Sequence, residues 1–156
     1  MVARCYSHSV MKTQTYTVAT PEDFNMVIEL VLQNMQAQLI PVITLRGDLG
    51  AGKTTFTQQL AKHLGVTEHV VSPTFGIMKS YELFDHPYFD QLVHIDAYRI
   101  EDDSEIKPLR FEELLRQSRT LVVIEWPERI ANILPIKKTE IVIEITNGEE
   151  RIVTVQ

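Results

Sequence analysis

The chain has 156 residues, 44% hydrophobic and 23% charged, with 15 Lys plus Arg against 21 Asp plus Glu and a net charge of −6. This is ordinary globular usage at the size of one domain, so a disordered, collagen-like or mucin-like chain is excluded and the core needs no disulfide or metal staple. An acidic surface is ill suited to gripping nucleic-acid phosphates over a broad face, but it is compatible with one local anion site. The single cysteine, Cys5, cannot form an internal disulfide and no Cys/His cluster has zinc spacing, which fits a reducing cytoplasm. No apolar run reaches the ~18 residues of a membrane span. Residues 1–10 lack the apolar region of a signal peptide, and Met11 follows them as an alternative start. Residues 1–19 are therefore read as a partly disordered N-terminal extension, and 20–156 as a single domain.

Thr20-Pro21-Glu22-Asp23 has the chemistry of a helix start: an N-cap hydroxyl, proline in the first turn, and carboxylates at the positive helix end. Phe24, Val27, Ile28, Val31, Met35 and Leu39 continue at three- and four-residue spacing and predict one apolar helix face. Val42 to Leu45 predicts a buried strand, and Thr54 to Leu64 a helix stopped by Gly65. Gly76 to Tyr81 and Leu92 to Tyr98 read as further strands, and Ile100 to Arg110, with Pro108, as a loop. Phe111 to Arg116 predicts a short helix, and Leu121 to Ile124, the most hydrophobic stretch, the sheet centre. Finally, Ile141 to Thr146 and Glu149 to Val155 flank Asn147-Gly148, which predicts a hairpin with a two-residue turn, Glu144 opposite Arg151 and Ile143 opposite Ile152.

Gly47-Asp48-Leu49-Gly50-Ala51-Gly52-Lys53-Thr54 matches G-x-x-x-x-G-K-[ST]. A random chain of this length does so roughly once in 200. Glycines let such a loop wrap a pyrophosphate and turn successive N–H groups inward, and the following helix adds its N-terminal dipole. Gly50, Ala51, Gly52, Lys53, Thr54 and Thr55 are the candidate ATP-binding residues. Lys53, expected at a solvent-lined position, would reach the β- and γ-phosphates, and the Thr54 hydroxyl would ligate Mg²⁺. A phosphate loop also needs a carboxylate at a neighbouring strand end. Glu125, ending LVVIE, is preferred for the metal, which leaves Asp96, ending LVHID, to orient or deprotonate water.

Thr74, in Ser72-Pro73-Thr74-Phe75, is either a switch hydroxyl that senses the γ-phosphate or an ordinary turn hydroxyl. Trp126 is either a wall of the nucleotide pocket or core packing. His8, His63, His69, His86 and His94 are read as structural, although His94 alternates with Asp96 on one strand face. No N-K-x-D or D-x-x-G motif is present, so ATP rather than GTP is the expected nucleotide. Only 31 residues follow Glu125, which leaves little chain for a kinase lid. The competing classes are a small nucleoside or metabolite kinase and a nucleotide-dependent interaction module.

GDLGAGKTT, SPTF, HIDAYR and VIEWPERI, in that order, resemble the bacterial ATPase family of tRNA threonylcarbamoyladenosine biosynthesis (TsaE, formerly YjeE) from about residue 20 onward. The resemblance implies a phosphate-loop α/β fold: three layers, a mostly parallel central sheet and a C-terminal antiparallel hairpin. It also implies an ATPase, weak alone, that supports the threonylcarbamoylation of the anticodon-adjacent adenosine. Its implied partners are the transferase heterodimer of TsaD and TsaB, with tRNA engaged only indirectly and no membrane. Lys53, Thr54, Glu125 and Asp96 take the matching phosphate, Mg²⁺ and catalytic positions, and Thr74 the switch-like segment. The chain departs at Leu109-Arg110-Phe111, where family members often carry glycine, and in the thin basic tail of its hairpin.

Overall fold

The computed structural model describes residues 13–38, 41–73 and 75–156. Seven strands form one sheet: β1 (Gln14–Val18), β2 (Val42–Arg46), β3 (Met78–Glu82), β4 (Gln91–Asp96), β5 (Thr120–Glu125), β6 (Thr139–Ile145) and β7 (Arg151–Val155). Their spatial order is β1-β7-β6-β2-β5-β4-β3. The central β6, β2, β5 and β4 run parallel, while β7, β1 and β3 are antiparallel to their neighbours. Central strands buried on both faces read as unbroken apolar runs, as Leu121-Val122-Val123-Ile124 does.

The two faces carry separate cores. Leu121, Val123, Ile43 and Leu45 pack with α1 (Phe24–Gln38) and α2 (Lys53–His63) on one side. Val122, Ile124, Val93 and Ile95 face Ile106, Ile130 and α3 (Phe111–Leu115) on the other. The arrangement is thus three-layered, as expected. α1 follows a 3₁₀ turn at Pro21–Asp23, where the Asp23 carboxylate accepts the N–H groups of Ala19 and Thr20 at 3.0 and 2.8 Å. Those bonds, that of Thr20 first, hold the Asp23 carboxyl below its ordinary range. Val27, Ile28, Val31 and Met35 are buried as their spacing predicts, and Phe24 meets Phe56 of α2 edge-on at 5.6 Å between ring centroids. Leu39 lies outside the described residues.

The structure departs from the sequence reading in three places. Residues 14–18, counted with the extension, form edge strand β1, paired with β7 from Gln14↔Val155 to Val18↔Arg151. The extension's residues 1–12 lie outside the described residues. The segment read as a loop contains a 3₁₀ helix, Asp103–Leu109, capped by the Asp102 carboxylate accepting the Ser104 N–H at 2.7 Å. It ends at Arg110, whose φ of 49° and ψ of 46° lie in the left-handed region. The hairpin register is also shifted by one: Glu144 pairs with Ile152, Ile145 with Arg151, and Ile143 with Val153. The Thr146 hydroxyl accepts the Gly148 N–H, while the Thr146 N–H and hydroxyl both donate to the Glu150 carbonyl, so the turn holds three residues instead of two. A one-residue slip exchanges the faces of a strand, and this register puts buried Ile143 and Val153 together on the core side.

Candidate functional site

The phosphate loop joins the carboxyl end of β2 to the first residue of α2. Gly47 has a φ of 149°, and a Cβ on it would stand 2.3 Å from the Ile143 carbonyl oxygen of β6. Only glycine lets the loop lie this close to the sheet. Within the loop the Ala51 N–H donates to the Asp48 carbonyl at 3.1 Å. The Ala51 carbonyl accepts Arg151 Nε, also at 3.1 Å, so β7 braces the loop from behind.

Lys53 lines an open cavity, as expected, but is itself only 4% exposed. Its Nζ donates to the Gly47 and Asp48 carbonyls at 2.7 and 2.8 Å and lies 3.8 Å from the centroid of the Trp126 ring. The loop curls over its own lysine, and an aromatic face closes the other side, an attractive arrangement for a cation. Burial lowers the Lys53 ammonium pKa, and Glu125, Glu128, Asp96 and Asp48 oppose that shift. Trp126 itself has a φ of 57°, and its ring leans on Tyr98 at 5.1 Å between centroids. Its ring both lines the cavity beside the loop and packs against the second core, so features of both sequence readings are present.

The two strand-end acids stand side by side, since parallel β4 and β5 pair Asp96 with Glu125. Both are buried. The Thr54 hydroxyl lies 3.0 Å from each Glu125 oxygen, and His94 Nε2 is 2.8 Å from Oε1. Asp96 Oδ2 accepts the Ser72 hydroxyl, and Oδ1 accepts the Tyr98 N–H at 3.0 Å. His94, read as structural, is therefore in contact with the carboxylate preferred for the metal. Glu125 and Thr54 offer hard oxygens suited to Mg²⁺, which binds proteins through one or two such groups and takes the rest from phosphates and water.

A cavity of about 360 Å³ opens above these groups, lined by Gly50, Gly52, Lys53, Thr54, Thr55, Asp96, Glu125 and Trp126 together with Leu49, Ser72 and Tyr98. Gly50, Gly52 and Thr55 also line a second cavity of about 160 Å³, whose other walls include Val18, Thr20, Phe24, Ala51 and Arg151. Of the candidate residues, Ala51 faces only this smaller cavity, and Thr74 lies outside the described residues.

The family profile "Threonylcarbamoyl adenosine biosynthesis protein TsaE" matches residues 18–153. The chain is 38% identical over 144 residues to the tRNA threonylcarbamoyladenosine biosynthesis protein TsaE of Bacillus subtilis, covering 92% of this chain and 85% of that one. It is 32% identical over 142 residues to the Rickettsia typhi protein of the same name, covering 90% and 93%. The crystal structure of YdiB from Bacillus subtilis superposes with a TM-score of 0.70 at 32% identity, over 92% of this chain and 84% of that one.

The chain belongs to the TsaE family.

This TsaE-family site contains residues that sequence reasoning passed over, and all but Arg151 had some signal. Ser72 stands two residues before Thr74 in the quoted SPTF motif, and Tyr98 two after Asp96 in HIDAYR. The strand periodicity already put His94 on the Asp96 face. Arg151 carried no local signal, because its partner lies on the loop 100 residues earlier. Among the described residues, no helix is long and apolar enough to cross a membrane.

Proposed function

We propose that this member of the TsaE family binds and hydrolyses ATP with Mg²⁺ to support turnover of the threonylcarbamoyl transferase complex in the cytoplasm. The observation that carries the reading is the Thr54 hydroxyl bridging both oxygens of Glu125 at the mouth of a glycine-built phosphate loop, with Asp96 in register beside it. In this reading the triphosphate lies in the larger cavity against the loop and the α2 N-terminus. The nucleoside end passes Gly50 and Thr55 into the smaller one. Lys53 exchanges the Gly47 and Asp48 carbonyls for phosphate oxygens. Glu125 and Thr54 would hold Mg²⁺, which when bound would neutralise charge on the terminal phosphates. Asp96, fixed by Ser72 and the Tyr98 N–H, orients the attacking water and accepts its proton.

The proposed partner is the heterodimer of TsaD and TsaB, contacting the loops at the carboxyl ends of the strands, where doubly wound sheets place their ligands. Leu49 and Phe75, 75% and 88% exposed, stand among these loops, with the Arg99 guanidinium 4.3 Å from the Phe75 ring centroid. Alone, the protein should hydrolyse ATP slowly, because docking completes the site. The test is binding to that heterodimer with a non-hydrolysable ATP analogue and with ADP, alongside hydrolysis with and without it. Equal affinities together with full activity alone refute the gated-subunit reading. Transfer of labelled phosphate from ATP to a small acceptor would make the protein a kinase.

A further inference from the structure

His94 sits in the middle of β4 with no exposed side-chain surface, between Val93 and Ile95, which pack into the opposite core. Its backbone partner on β5 is Val123, two residues before Glu125. The ring therefore reaches along the face shared with Asp96 until Nε2 meets Glu125 Oε1 at 2.8 Å. A carboxylate only accepts hydrogen bonds, so Nε2 carries the proton of this pair. Nδ1 is buried and has no hydrogen-bond partner among the described residues. An apolar side chain would fill the position without leaving a nitrogen unpaired. The imidazole is therefore explained by what its other nitrogen does to Glu125.

The donors on Glu125 come from two directions. Thr54, from α2, lies equidistant from both oxygens at 3.0 Å, while His94, from within the sheet, engages Oε1 alone. With Oε1 held from below, a cation arriving at the Thr54 hydroxyl meets a carboxylate with one oxygen to give. Magnesium, small and octahedral, is content with one. Calcium takes six to eight oxygens and readily uses both oxygens of a carboxylate.

Resting on the Mg²⁺–nucleotide reading above, we propose that His94 is a positioning residue that ties Oε1 of Glu125 to the sheet, presents Oε2 with the Thr54 hydroxyl, and so sets the site's preference for Mg²⁺ over larger divalent ions. Outer groups that orient metal ligands typically contribute about 10- to 100-fold to metal affinity. His94→Gln places an amide N–H near the position of Nε2. His94→Asn has the same chemistry but stops near Nδ1 and falls short of Glu125. His94→Leu removes the donor altogether.

The experiment measures affinity for a non-hydrolysable ATP analogue by fluorescence of the single tryptophan, Trp126, without metal and with Mg²⁺ or Ca²⁺. His94→Asn and His94→Leu should lose about 10- to 100-fold of the Mg²⁺ enhancement. They should lose less with Ca²⁺, which can recruit the freed oxygen, and keep the metal-free affinity. His94→Gln should stay close to wild type in all three conditions. If His94→Leu does not fold, the Asn and Gln pair still decides the question by reach alone. An Asn variant that keeps the full enhancement, or Asn and Gln variants that lose metal-free, Mg²⁺ and Ca²⁺ affinity together, overturn the assignment. A wild-type protein that binds the analogue no better with Mg²⁺ than without it refutes the underlying reading of the site, and the His94 proposal with it. An enhancement present in wild type and unmoved in the variants refutes only the role of His94.

Discussion

Replacing Gly47 with alanine should separate the structural demand on the phosphate loop from its chemical one. The added Cβ would stand 2.3 Å from the Ile143 carbonyl oxygen and 3.1 Å from Ala51 Cβ. The first neighbour is sheet backbone, so the loop must retreat from β6 by roughly 1 Å in an interior that compresses little. Overpacking of this kind costs about 1–3 kcal/mol, and holding a non-glycine residue at a positive φ about 1–3 kcal/mol more. The expected loss of about 2–6 kcal/mol is a large fraction of a domain's total stability and lowers the melting temperature by about 5–20 °C. Gly50→Ala is the control. Gly50 has a φ of 78°, but nothing lies within 4 Å of its added Cβ. Only backbone strain of about 1–2 kcal/mol applies there. Gly50 lines both cavities, so its methyl should instead weaken ATP binding, by about tenfold or more. Calorimetric melting and ATP titration of the two variants read both effects. Equal falls in melting temperature would refute the contact with β6 as the reason for glycine at position 47.

Lys53→Met should weaken ATP binding about 10- to 150-fold through loss of one charge-assisted contact, and unchanged affinity by calorimetry would remove Lys53 from the phosphate site. Asp96→Asn should keep Mg²⁺·ATP affinity and slow hydrolysis by about 10²-fold or more, whereas Glu125→Gln should lose metal dependence and hydrolysis together; the opposite pattern exchanges their roles. The lowered carboxyl of Asp23 contributes stability that is complete above the ordinary carboxylate range and is lost as pH falls through the folded value. Asp23→Asn should therefore narrow the difference between melting temperatures at about pH 7 and about pH 3, and an unchanged difference would refute this linkage. Arg110→Gly relieves a left-handed residue at the start of α3 and should raise the melting temperature by about 2–4 °C; a fall would show that the arginine side chain contributes more than its backbone strain costs.

What was legible in the sequence was whatever neighbouring residues determine among themselves. The glycine spacing, the apolar runs and the acids at their ends place the loop, Thr54, Asp96 and Glu125, because each rests on chemistry within one strand–turn–helix unit. The missed features depend on distant partners. Strand β1, polar and short, gains its place by pairing with the distant β7. His94 acquires a role from a carboxylate 31 residues away on the next strand. Burial of Lys53 needs the loop to fold back on it and Trp126 to close over it. The hairpin register turned on the Thr146 hydroxyl, a side-chain bond that lengthens the turn by one residue.

The pairing of Gln14 with Val155 has a consequence for how the molecule is made. Strand β7 leaves the ribosome after every other strand of the sheet, and β1 before them all. At about 5–20 residues per second, β1 is exposed without its neighbour for some 7–30 s. Arg151, which secures the phosphate loop through Ala51, arrives with β7. The proposed nucleotide site thus waits for β7, although its glycine loop is translated some 100 residues earlier. A stalled or prematurely terminated chain carries the loop sequence without the strand that braces it.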